Sequence, residues 1–168
     1  LRIVGVVPLE TETPIGLFTQ EGVVKRVVLA ELPSRPSFEV IGLKAGDSLV
    51  AAFPAPDDSE IAAVASDAQL LRFDASSVRP QGRPAGGMAG MKLGAGARVL
   101  FAGAVPAGEE ARVVTVAETS DENALPGTAS GSAKVSDWAE FPAKGRATGG
   151  VRAQRFLKGE ERLVAAWA

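Results

Sequence analysis

The 168-residue sequence predicts an all-β, propeller-like protein of about three four-stranded repeats preceded by part of a fourth. Two observations carry that expectation. A turn motif recurs at roughly blade-length spacing, and the apolar runs between turns are too short and too broken by Gly and Pro to be helices.

Arg35-Pro36-Ser37-Phe38-Glu39-Val40-Ile41-Gly42-Leu43-Lys44 returns as Arg83-Pro84-Ala85-Gly86-Gly87-Met88-Ala89-Gly90-Met91-Lys92, 48 residues later. Gly145-Arg146-Ala147-Thr148-Gly149-Gly150-Val151 is a third copy, 63 residues after the second, stretched by an insertion around Glu118–Gly131. About 50 residues is the period of a four-stranded propeller blade.

Each repeat opens on an apolar strand and a polar turn that leads to a basic residue: Gly16–Thr19 to Lys25-Arg26, Ala62–Ser66 to Arg72, and Val113–Val116 to Lys134. Each closes on another apolar strand: Leu49–Phe53, Val99–Val105 and Leu163–Trp167. Arg2–Pro8 resembles a closing strand, which marks it as the tail of a preceding blade. The expected divisions are therefore 1–14 for that tail, then repeats over 15–60, 61–111 and 112–168. Ala-rich Ile61–Ala65 is assigned to a strand because Pro54, Pro56, Asp57 and Asp58 precede it and Ser66-Asp67 follow. Nineteen Gly and eleven Pro leave no window of twelve residues with a helical apolar stripe. A lone blade has two apolar faces and cannot cover both, so stacking is what makes such units stable.

Absences narrow the function. There is no His, no Cys and no Tyr. That removes the usual neutral-pH acid–base group, disulfides, thiolate chemistry, Cys/His zinc sites, the Ser-His-Asp triad and any tyrosine nucleophile. The paired acids Asp57-Asp58, Glu109-Glu110 and Glu160-Glu161 lie in turn-like polar stretches, so no catalytic carboxylate pair is assigned. No apolar run is long enough to span a bilayer. Leu1–Val7 has no signal-peptide pattern, and a start without Met suggests a piece of a longer polypeptide. The expectation is a binding module without catalytic residues, metal or cofactor.

Net charge is −2, which by itself argues against nucleic-acid binding. The distribution argues for it. Between Gln69 and Arg98 lie Arg72, Arg79, Arg83, Lys92 and Arg98 against Asp74 alone. Between Phe141 and Lys158 lie Lys144, Arg146, Arg152, Arg155 and Lys158 with no acid. Pro54–Asp67 and Val105–Ala124 hold four and five acids. Bases thus occupy one phase of the repeat and acids another, and in a ring of blades one phase is one surface. Arginines there can grip phosphates through paired hydrogen bonds, and glycines let backbone come close. The plainer reading stays open, in which Gly-Gly serves only a tight turn and the arginines are solvated. Trp138 and Trp167 are read as packing residues.

Phe18–Arg26, Ser66–Phe73, Val78–Leu93 and Lys144–Val151 resemble the C-terminal domain of the A subunits of bacterial gyrase and topoisomerase IV, the type IIA topoisomerases. The Ala/Gly/Arg-rich wording is similar to that of actinobacterial members. The resemblance implies a β-pinwheel, whose blades exchange strands, and a basic rim that guides or bends double-stranded DNA. The candidate DNA-contacting residues, from the recurring turns and the charge clusters, are Lys25, Arg26, Arg72, Arg79, Arg83, Lys92, Lys134, Lys144, Arg146, Arg152, Arg155 and Lys158. The resemblance implies partnership with the catalytic core of the A subunit, and with the B subunit, ATP and Mg being used there. It also implies a place in the cytoplasm at the nucleoid, with no membrane contact. The Gln-Arg-Arg-Gly-Gly-Lys-Gly box of gyrase is absent, which favours topoisomerase IV. DNA wrapping by a gyrase A subunit, or a protein-binding scaffold without DNA contact, are the alternatives.

Overall fold

A computed structural model describes residues 3–8, 12–28, 30, 33, 35–119 and 131–168. Eleven strands follow in order: β1 (Ile15–Thr19), β2 (Val23–Val27), β3 (Leu49–Pro54), β4 (Ser59–Ala65), β5 (Gln69–Asp74), β6 (Met88–Ala89), β7 (Val99–Pro106), β8 (Arg112–Thr119), β9 (Ala133–Asp137), β10 (Val151–Arg152) and β11 (Glu160–Trp167). The only helical elements among the described residues are single 3-10 turns, including Ala75–Ser77 and Trp138–Glu140.

The strands form three antiparallel sheets with orders β3-β1-β2-β6, β10-β5-β4-β7 and β11-β8-β9. Each sheet is one blade, and strands are exchanged between neighbours. β6 belongs in sequence to repeat 2 but closes blade 1, pairing Met88 with Val24 and Ala89 with Val23. β10 belongs to repeat 3 but closes blade 2, pairing Val151 with Leu70 and Arg152 with Gln69. The two junctions are equivalent residue for residue, so the pinwheel expectation holds.

Tight hairpins start the first two blades. Gly22 and Ala68 occupy the same place in the first two and both take positive φ, +83° and +63°. In the third repeat the 63-residue spacing puts Gly131 at this place, and its φ is not positive. Alternation along β4 shows why stacking follows. Ile61 and Ala63 enter one apolar cluster with Phe18, Val24, Leu71 and Phe73, whereas Ala62 and Val64 enter another with Leu70, Val113, Trp138 and Leu163. Successive strand residues face opposite sides, and both sides of blade 2 are covered by a neighbouring blade. Each fully buried Leu, Ile or Phe there contributes about 1.5–3 kcal/mol. A third cluster, Ile15, Leu17, Val27 and Ile41, covers the remaining face of blade 1.

Two details differ from the sequence expectation. β4 begins at Ser59, so the expected division at 60/61 cuts a strand. Residues 3–8 form no strand, although Gly5 lies so close to the carbonyl of Ala52 that a Cβ would not fit. Most of the insertion after Glu118 lies outside the described residues.

Candidate nucleic-acid interface

Most of the exposed bases lie on the exchange segments and not on the hairpins. Each segment leaves the 3-10 turn of its own repeat and runs along the outer edge of the preceding blade. There Gln81 N–H donates to Arg26 O at 2.9 Å, and Lys144 N–H donates to Arg72 O at the same distance. Neighbouring segments then lie side by side. Ala147 N–H reaches Gly90 O, Lys92 N–H reaches Thr148 O at 3.0 Å, and Met91 bridges Thr148. The result is a continuous outer band.

Arg83 and Arg146 open equivalent turns in that band, and both lean back on the preceding segment. Arg146 Nη1 donates to Ala89 O at 2.7 Å, and Arg83 Nη1 approaches Glu39 O at 3.5 Å. Each thus reaches a backbone carbonyl of the segment before it, and among the described residues neither forms an ion pair. Arg79, Lys92, Lys144, Arg152 and Arg155 lie on the same segments, and Lys158 lies in the turn that follows. All six are exposed. Lys144 Nζ donates to Gly150 O at 3.0 Å, which steadies the turn without neutralising the charge. Among the described residues the ion pairs are Arg26–Asp57, Arg72–Glu60, Arg112–Asp137 and Arg162–Glu118, so the band's bases are unpaired. Asp57, Asp58, Glu109 and Glu110 sit in exposed turns between blades, at the end where β4 begins and β7 ends.

Four of the expected contact residues do other work. Lys25 is fully buried, and its ammonium donates to Val40 O, Arg83 O and Ala85 O at 2.7–2.9 Å. Burial lowers its pKa from the ordinary lysine value. Arg26 is also fully buried. It donates to Ala75 O and Val78 O of the next blade and pairs with Asp57. Arg72 repeats this in blade 2, bonding Trp138 O at 3.0 Å and stacking on the Trp138 ring, whose Nε1–H donates to Glu60. Lys134 is exposed as a residue, but its ammonium is tied to Ala153 O at 2.8 Å. In a sheet open to water on one face, a strand's bases would reach solvent. A blade covered on both faces turns them into internal pins instead.

The glycines also have a packing role beyond the turn. Gly87 and Gly150 take φ of +87° and +76°. A Cβ on either would stand 2.7 Å from Val24 O or 2.3 Å from Leu70 O, inside the preceding blade's backbone. The second glycine of each pair is therefore demanded by strand exchange. Trp138 packs as expected, whereas Trp167 is half exposed on β11. Sequence reasoning missed the pins, although the recurrence of Arg26 and Arg72 at one hairpin position signals them.

Antiparallel blades that trade their edge strands, with bases spaced along the traded segments, define a β-pinwheel, the propeller-type class. The family model for the DNA gyrase C-terminal domain, a β-propeller, matches residues 17–56, 59–106 and 127–166, one stretch for each repeat. The chain belongs to that family. It is 31% identical over 155 residues to the DNA gyrase A subunit of Escherichia coli, covering 89% of this chain and 16% of that one. It is 36% identical over 112 residues to topoisomerase subunit TopoM of Mycolicibacterium smegmatis, covering 66% and 14%. The chain thus spans less than a fifth of the length of the curated relatives it matches. Among solved structures, it superposes on the C-terminal domain of DNA topoisomerase IV with a TM-score of 0.79 at 24% identity, covering 96% of this chain and 48% of that one. The DNA gyrase A C-terminal domain gives 0.75 at 19%, covering 96% and 50%.

Proposed function

We propose that this chain is the DNA-contacting module of a type IIA topoisomerase A subunit, holding duplex DNA by its phosphates without reading sequence. The observation that supports this reading is the band of unpaired bases on the exchange segments. The contact residues proposed are Arg79, Arg83, Lys92, Lys144, Arg146, Arg152, Arg155 and Lys158. Point cations spaced along an outer edge match a phosphate backbone, and such contacts position a duplex without specifying its sequence.

In this reading cleavage and magnesium belong to the catalytic core of the A subunit, and ATP hydrolysis belongs to the B subunit. The module acts on the bacterial nucleoid, and no helix among the described residues is long and apolar enough to cross a membrane. The sparse band and the missing gyrase box favour guiding of a transported segment, as in topoisomerase IV, over tight wrapping. Replacing Arg83 and Arg146 together with Ala tests the contact. Affinity for a random-sequence duplex at low salt should fall, and the slope of log K against log salt should shrink by about two units. An unchanged slope refutes it.

A further inference from the structure

Blade 3 turns one face to blade 2 and leaves the other open. Val113, Ala117, Leu163 and Ala166 enter the core shared with blade 2. Strand alternation sends Val114 and Val116 to the opposite face, and the register carries their cross-strand partners with them. The outer face of blade 1 is covered by Val7, Val40 and Ile41, whereas on blade 3 Val135 is 56% and Trp167 52% exposed. We infer that this open face is a docking surface for a second copy of this chain, the two copies being related by a twofold axis that lies between the faces and crosses the strands at right angles.

The face is built in rows across β9, β8 and β11. Val135, Val114 and Trp167 make one middle row, and Ala133, Val116 and Ala165 make the next. Beyond the first row stands Arg112 beside Asp137, an ion pair at 3.4 Å. Beyond the second stands Glu118 beside Arg162, at 3.8 Å. Apolar residues scattered singly over a surface need no partner, but six contiguous ones between two charged borders have the anatomy of an interface.

The pattern chooses how the copies sit. Sheets packed face to face keep their strands nearly aligned, so a twofold axis can run along the strands or across them. Run along β8, it sets Arg112 on Arg112, Glu118 on Glu118 and Trp167 on Val135, like charge on like and large on large. Run across, it sets Arg112 of each copy on Glu118 of the other. The same operation puts Trp167 over Ala165 and Val135 over Ala133, so each bulky side chain meets a small one. Only this second arrangement is complementary in charge and in volume at once. None of the residues proposed to contact DNA stands in these rows, so docking here and DNA contact there can fail separately.

Sedimentation velocity of the 168-residue chain tests the docking. A dimer should form with rising concentration below about 1 mM. Acrylamide quenching of tryptophan should fall as it forms, because Trp138 is already buried and Trp167 is not. Trp167→Ser, its fold checked by circular dichroism, should weaken the dimer about tenfold or more. Charge exchange tests the axis. Glu118→Arg alone and Arg112→Glu alone should each weaken self-association about tenfold, whereas an equimolar mixture of the two should associate as the parent does. A chain that stays monomeric at about 1 mM, or a dimer indifferent to Trp167→Ser, overturns the docking surface. Single charge variants as strong as the parent, or a mixture no stronger than they are, overturn the axis and with it the proposal. A fall in quenching with duplex DNA but not with concentration assigns the face to DNA and overturns it as well.

Discussion

Arg26 in β2 of blade 1 donates to the carbonyl of Ala75 in blade 2, across 2.9 Å and with no exposure to solvent. Ala75 opens a 3-10 turn, and Arg72 makes the equivalent bond to Trp138, which opens the matching turn of blade 3. Each of these two blades thus reaches into its successor by one guanidinium, at the point where the successor's chain turns off its strand.

Arg26→Met should cost about 2–3 kcal/mol, because it takes a charged, buried donor away from the carbonyls of Ala75 and Val78. Asp57→Asn should cost less than about 1 kcal/mol, since the Asp57 side chain is 80% exposed and its charge is screened. Urea denaturation of both variants checks the contrast. Equal losses would show that the ion pair, not the carbonyl contacts, joins the blades.

Exchange-strand glycines make a second contrast. Gly150→Ala places a methyl group in the Leu70 carbonyl and forces a positive φ on a side chain. The expected loss is at least about 2 kcal/mol, or roughly 4–8 °C in Tm for a domain of this size. Gly145 opens the same turn, its Cβ direction is free of neighbours and its φ is not positive. Gly145→Ala should leave Tm within about 2 °C of the parent. Thermal melts of the pair decide whether backbone approach, and not general turn flexibility, sets the motif.

The repeat was legible because it is written in the turns. Arg35, Arg83 and Arg146 recur in register, and Gly, Pro and Asp punctuate the apolar runs. That was enough to place an opening and a closing strand in each of the three repeats and to reject a helix at Ile61–Ala65. Strand exchange was not legible from the residues alone, because Met88-Ala89 and Val151-Arg152 are two-residue strands whose partners lie in another repeat. The family resemblance supplied it. The basic face was readable only in part, for a related reason. Charge clustering locates Arg83 and Arg146, but it does not distinguish an exposed base from Lys25 or Arg26, whose burial depends on a blade stacked over each face.

Lys25 contributes a pH dependence in the alkaline range. Burial lowers its folded pKa below the unfolded value near 10.5, so in the interval between the two the unfolded chain binds more protons. Stability contributed by this group therefore rises with pH through that interval and is lower beneath it. Lys25→Met removes the titration, while also stranding the carbonyls of Val40, Arg83 and Ala85. The variant should be less stable at every pH, with the deficit growing as pH climbs through the alkaline range towards 10.5. Denaturation curves of both proteins, taken at matched ionic strength from about pH 7 upwards, measure that deficit. A constant deficit would mean that the buried ammonium is as well solvated by its three carbonyls as by water.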